Sequence, residues 1–174
     1  MYGLIPAKVT GGEGYLTFLT SMFLHGGLLH LGGNMLYLYI FGDNIEDMCG
    51  HVSYLTFYVL CGIFASILQI LSALNSNTPA VGASGAISGV LGAYVLLFPK
   101  AKILTAIYFG FLIRILYLPA YVLIGLWFLY QFILALIGLE TGVAYWAHIG
   151  GFAAGLVLAK TCARRKHYHP LHES

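Results

Sequence analysis

One serine, Ser84, sits between small residues in Gly82-Ala83-Ser84-Gly85, at the start of an apolar run that continues to Phe98. One histidine, His148, lies near the start of another apolar run and is followed by Gly151 and Gly155. A serine hydroxyl is a weak nucleophile until a neighbouring base takes its proton, and histidine is the usual base. Pro79 and the polar residues 75–78 break any helix upstream, so a helix is predicted to begin near Ser84. Its free N–H groups and dipole would favour negative charge developing there. His30 and Asn34 are four residues apart and share a helix face. With the Ser84 N–H, they are candidate donors to the oxyanion of a tetrahedral intermediate. Each feature also has a plainer reading. Small residues are what membrane helices pack through, Asn34 could bond between helices, and His148 could be a satisfied core histidine. No carboxylate is placed to orient His148: Asp43, Glu46 and Asp47 fall past the first span, Glu13 in a leader and Glu140 in a loop. A metal site built from His25, His30 and His148 would lack any Asp, Glu or Cys ligand, so neither metal nor cofactor is expected.

These groups must be positioned inside a membrane. The chain of 174 residues is 60% hydrophobic and 8% charged, whereas soluble domains carry about 25% charged residues. A net charge of +2 with no basic stripe gives nucleic acid no footprint. The expected fold class is all-α, a polytopic membrane helix bundle of about five transmembrane helices. Residues 1–160 form the membrane domain, in which 1–26 make an interfacial loop and spans cover about 28–41, 53–74, 82–98, 119–137 and 143–159. Residues 101–118 are apolar but contain Gly110 and Arg114, and they read as an interfacial connection, with a sixth span as the competing assignment. Lys100 and Lys102 follow the third span, and Lys160, Arg164 and Arg165 follow the fifth. Basic residues favour the cytoplasmic side. The Ser84 end then faces outward, and residues 161–174, with His167, His169 and His172, form a basic cytoplasmic tail. Gly85, Gly89 and Gly92 on the third span and Gly151 and Gly155 on the fifth would let those two helices touch. Cys49, Cys61 and Cys162 form no C-x-x-C pair, and free thiols are expected. No cleavable leader is expected, so insertion would rely on the internal spans.

Three stretches together resemble the signature motifs of the rhomboid intramembrane serine proteases. They are His25-Gly-Gly-Leu-Leu-His30-Leu-Gly-Gly-Asn34-Met35, Gly82-Ala-Ser84-Gly85, and Ala147-His148-Ile-Gly-Gly151. The resemblance implies Ser84 as nucleophile and His148 as general base. It also implies His30 and Asn34 as side-chain partners of the Ser84 N–H in an oxyanion hole, and Gly82 and Gly85 as residues that shape the loop and helix start. It further implies a multi-pass protein of the cell membrane with its active site on the extracytoplasmic side, acting on transmembrane segments of other membrane proteins. The family core has six helices, one of them before the first loop; this chain begins in that loop, so five are expected. Some members place an aromatic residue four positions after the serine, against the histidine, where this chain has Ser88. Trp127 and Phe128 are expected to line the lateral gate. The rival reading is a rhomboid-like protein that binds transmembrane clients without cutting them.

Overall fold

A computed structural model of the chain describes residues 2–110, 112–138 and 141–162. Short helices α1 (Pro6–Thr10) and α2 (Thr17–Thr20) and a 3-10 turn (Ser21–Phe23) lead into the long helices α3 (Leu28–Cys49) and α4 (His51–Ser72). Helix α5 (Ser84–Leu97) follows, then a hairpin of β1 (Lys102–Phe109) and β2 (Leu112–Pro119), then α6 (Ala120–Ile137) and α7 (Tyr145–Cys162). Helix α5 is the axis: every residue from Gly85 to Tyr94 is buried. Phe41 and Ile45 of α3, Phe57 and Cys61 of α4, Ile124 of α6 and Phe152 of α7 complete a core around it. The outward faces are apolar too, as at Leu36, Leu126, Leu129, Ile137 and Val157. That surface suits lipid, not water. By length and composition, α4 and α6 are each able to cross a bilayer, with mean hydropathies of 2.0 and 2.1.

Helix α5 has 14 residues, which at 1.5 Å per residue is about 21 Å, well short of a hydrocarbon core of roughly 30 Å. In a bilayer the backbone next to so short a helix would need protein partners for its polar groups. The N-terminal segment supplies them. Leu4 and Ala80 exchange N–H···O bonds of 2.9 and 2.8 Å, the Ala7 N–H donates to Ser76 O, and the Gly82 N–H donates to Ser21 O at 2.9 Å. Met22 seats this segment by filling the space left by Gly62 on α4.

Helices α5 and α7 meet along their glycines. A Cβ added at Gly151 would strike Gly85 O, one at Gly155 would strike Gly89 O, and one at Gly92 would strike Phe152 O. On the α4 side, Gly150 rests on the Phe64 carbonyl and Gly89 on Cys61. The expected small-residue seam is thus a backbone-to-backbone contact, the kind only glycine permits.

Three expectations change in detail. The first span, placed at 28–41, is the leading part of a helix that continues through Asp43, Glu46 and Asp47 to Cys49. Charged residues end a membrane crossing without ending a helix, whose backbone bonds are satisfied internally on either side. Gly50, with φ +79°, makes the turn into α4. Residues 102–119 form an antiparallel hairpin with Lys102 opposite Pro119 and Phe109 opposite Leu112, so they are not a sixth span. Its Ile, Tyr and Thr residues favour extended backbone, and Gly110 at φ +60° serves the turn. Finally, Cys49 and Cys162 are not free thiols. They are bonded to each other with a Cα–Cα distance of 5.0 Å, while Cys61 stays free and buried. Sequence spacing missed the pair because 113 residues separate them, and only the packing of α3 and α7 around α5 brings their ends together. Residues 161–162 continue α7, whereas His167, His169 and His172 of the expected tail lie outside the described residues.

Gly155→Ala is expected to lower the thermal midpoint of the detergent-solubilised protein, because its methyl group meets a backbone carbonyl that cannot rotate away. Overpacking of this kind costs about 1–3 kcal/mol. Gly125→Ala on α6, where nothing lies within 4 Å, is expected to be neutral or to stabilise by up to about 1 kcal/mol. For the thiols, maleimide labelling of the denatured chain is expected to add one group before reduction and three after.

Candidate active site

Ser84 is the first residue of α5, and the helix N-terminus has no side-chain cap. Its early N–H groups therefore remain available to a ligand. The close seam between α5 and α7 sets His148, in the first turn of α7, beside it. The distance from Ser84 Oγ to His148 Nε2 is 2.9 Å. The other ring nitrogen, Nδ1, is 2.8 Å from Oε1 of Gln131 on α6. Trp127, one turn earlier on α6, lies over the imidazole with ring centroids 6.0 Å apart. Gln69 of α4 accepts the Ala147 N–H at 3.2 Å, which steadies the backbone just before His148. His148 and Gln131 are both buried.

His30 and Asn34, on one face of α3, reach the same place. Asn34 is buried, and its amide nitrogen has no hydrogen-bond partner among the described residues. An unpaired donor at such depth is costly unless a ligand uses it. Nδ1 of His30 accepts the Gly26 N–H at 3.3 Å, so in the neutral ring Nε2 carries the proton. That edge of the ring lies against Gly82: a Cβ added there would be 2.8 Å from His30 Nε2. Ser84, His148, His30, Asn34 and Trp127 share the wall of one cavity of about 470 Å³. A hydroxyl paired with an imidazole, facing free N–H donors across a cavity, has the parts of acyl-transfer chemistry.

The structure also sorts the remaining expectations. Gly82 shapes the loop, at φ +126°. Gly85 does not line that cavity; Ala65 of α4 and Ala147 of α7 fill its open side. Ser88 donates to Ser84 O at 2.7 Å and so turns back on its own helix. Of the two residues expected at a lateral gate, Trp127 lines the cavity and Phe128 does not. It stacks on Phe152 of α7 with centroids 4.3 Å apart, as part of the core. The rings of His25 and His30 are 5.2 Å apart, and among the described residues no group of three metal-ligating side chains gathers. Burial first, and then the neighbouring His30, hold the His25 imidazolium below its ordinary pKa. Sequence reasoning missed Gln131. Its signal was present, a lone amide in the 18-residue apolar stretch 120–137, though an amide does not ionise and so stands out less than a histidine.

A family model described as the rhomboid domain matches residues 12–165. The chain belongs to the rhomboid family. Among its relatives, RHOMBOID-like protein 4 of Arabidopsis thaliana is 36% identical over 97% of this chain and 39% of its own length. Rhomboid-type serine protease 2 of Emericella nidulans is 30% identical over 83% of this chain and 26% of its own length. Rhomboid protease GluP of Bacillus subtilis is 43% identical over 43% of this chain and 14% of its own length. The chain spans less than half the length of these curated relatives. This rhomboid domain is thus a helical membrane bundle from a family that includes named serine proteases.

Gly82→Ala is expected to disturb the site more than the fold. The left-handed backbone costs a side chain about 1–3 kcal/mol, and the methyl group would push His30 off the loop. Circular dichroism should keep its helical signal while labelling of Ser84 by a fluorophosphonate falls.

Proposed function

We propose that this rhomboid domain is an intramembrane serine endopeptidase, with Ser84 as nucleophile and His148 as general base. The observation that supports the reading is the 2.9 Å contact between Ser84 Oγ and His148 Nε2 inside a cavity that also holds the unpaired Asn34 amide. In the forward step Ser84 Oγ attacks the scissile carbonyl carbon as His148 Nε2 takes its proton. The carbonyl oxygen becomes an oxyanion facing the Ser84 N–H, the Asn34 amide and His30 Nε2–H. Collapse breaks the C–N bond, and His148 returns the proton to the leaving amine. Water then enters, gives its proton to the same nitrogen and cleaves the acyl ester, which restores Ser84. Gly151 and Gly155 serve as packing residues that hold the two helices at this distance.

The substrates in this reading are transmembrane segments of other proteins, and the other partner is the bilayer itself. A helix has its carbonyls engaged in internal bonds, so a substrate must unwind locally before a carbonyl reaches Ser84. Helices α3 to α7 are read as five crossings of the cell membrane. Lys100, Lys102 and Lys160 mark the ends opposite Ser84 as cytoplasmic, so the cavity opens on the extracytoplasmic side.

Ser84→Ala and His148→Ala are expected to reduce both fluorophosphonate labelling and cleavage of a transmembrane reporter to background, with the helical signal intact. Asn34→Ala is expected to lower kcat by about 10²–10³ while Ser84 remains in place. Undiminished cleavage by Ser84→Ala would overturn the reading.

A further inference from the structure

We propose that Gln131 is the positioning residue of this site. Its side-chain oxygen accepts the Nδ1–H of His148 and so holds the imidazole in the tautomer whose Nε2 lone pair faces Ser84. The inference rests on the serine-protease reading and adds the group that orients the base; among the described residues the ring nitrogens of His148 meet only Gln131 and Ser84, and no carboxylate.

A neutral histidine carries one ring proton, and its location decides whether the site can work. With the proton on Nδ1, Nε2 can accept from Ser84. With the proton on Nε2, the ring points a donor at the hydroxyl and no base remains. A buried ring N–H needs an acceptor, and Gln131 Oε1, 2.8 Å away, supplies it. A turned amide would place its NH₂ against Nδ1 and select the opposite, idle tautomer, so the claim concerns protons as well as heavy atoms. The surroundings leave Gln131 this duty. Asp43, Glu46 and Asp47 lie in the last two turns of α3, away from His30 and Asn34 near its start. Ser88 is engaged with Ser84 O on its own helix. Trp127 and Gln131 are four residues apart and share a face of α6, so one helix supplies both an aromatic neighbour of the ring and the acceptor of its Nδ1–H. A neutral amide also avoids burying a negative charge within the bundle, where an ion costs far more than a dipole. It supports the imidazolium less than a carboxylate would, which makes orientation its main contribution.

The test measures the tautomer directly, on the full chain in detergent with ¹⁵N-labelled histidine. The His148 resonances are assigned by their loss in His148→Ala. The expected spectrum has a protonated Nδ1 and an unprotonated Nε2 in the wild type. Gln131→Leu is expected to mix or reverse that pattern, and Gln131→Glu, which keeps an oxygen in place, to preserve it. If Gln131→Leu loses its helical signal, Gln131→Met, unbranched and of similar length, takes its place. In cleavage assays the apolar variants are expected to lose roughly 10- to 100-fold in kcat, the range for a lost bond that strands a buried donor. KM should stay nearly unchanged, and Gln131→Glu should recover most of the rate. A wild-type His148 protonated on Nε2, or a tautomer indifferent to the apolar variants, overturns the inference. An inert wild type whose tautomer still depends on residue 131 overturns the protease reading and supports the positioning role.

Discussion

The site depends on the contact between the backbones of α5 and α7. Ser84 and His148 are far apart in sequence, and nothing local draws them together. What does so is that Gly85 and Gly89 present bare carbonyl groups to Gly151 and Gly155. Helices with ordinary side chains pack with axes about 8–10 Å apart; glycine on both faces removes the spacers. In a bilayer, lipid chains solvate an apolar face as well as another helix does, so close van der Waals contact must supply much of the association. The seam that holds the bundle together also sets the distance between hydroxyl and imidazole.

A second constraint follows from the length of α5. The helix is too short to cross a bilayer's hydrocarbon core by itself, and its N-terminus is met by the irregular backbone of residues 75–83. In lipid those backbone groups would be unsatisfied. The segment from Leu4 to Phe23 bonds them and closes one side of the site. The irregular loop and the N-terminal cover thus follow from one short helix, and the apolar helices around them carry the rest of the outward surface.

Gln131 and Gln69 show a further layer. Each is an isolated amide in an apolar helix, and each is used on the first turn of α7, one at the His148 ring and one at the Ala147 backbone. Placing neutral amides there satisfies donors without burying charge. The Cys49–Cys162 bond works at the far ends of α3 and α7. Helix α7 is therefore held at its first turn by glutamines, along its length by glycines and at its end by sulfur.

The chain by itself pointed to more of the candidate site than of the supporting structure. The sparse charges and long apolar runs established a membrane bundle, because residues that cannot be hydrated must face lipid or one another. The small residues around Ser84, the His30–Asn34 spacing and His148 beside Gly151 singled out residues that the structure brings together at one cavity, because a polar side chain in such a run needs a reason. The helix limits were legible to within a few residues, except at Cys49, where a helix outlasts its membrane crossing. Tertiary structure alone decided which side chains meet. The Gln131 acceptor, the Phe128 stack, the Cys49–Cys162 bond and the pairing of Leu4 with Ala80 each join segments distant in sequence. Periodicity reports which face of a helix is apolar, but not which neighbour that face will touch. Those partners were set only when four other long helices and a folded N-terminal segment packed around α5.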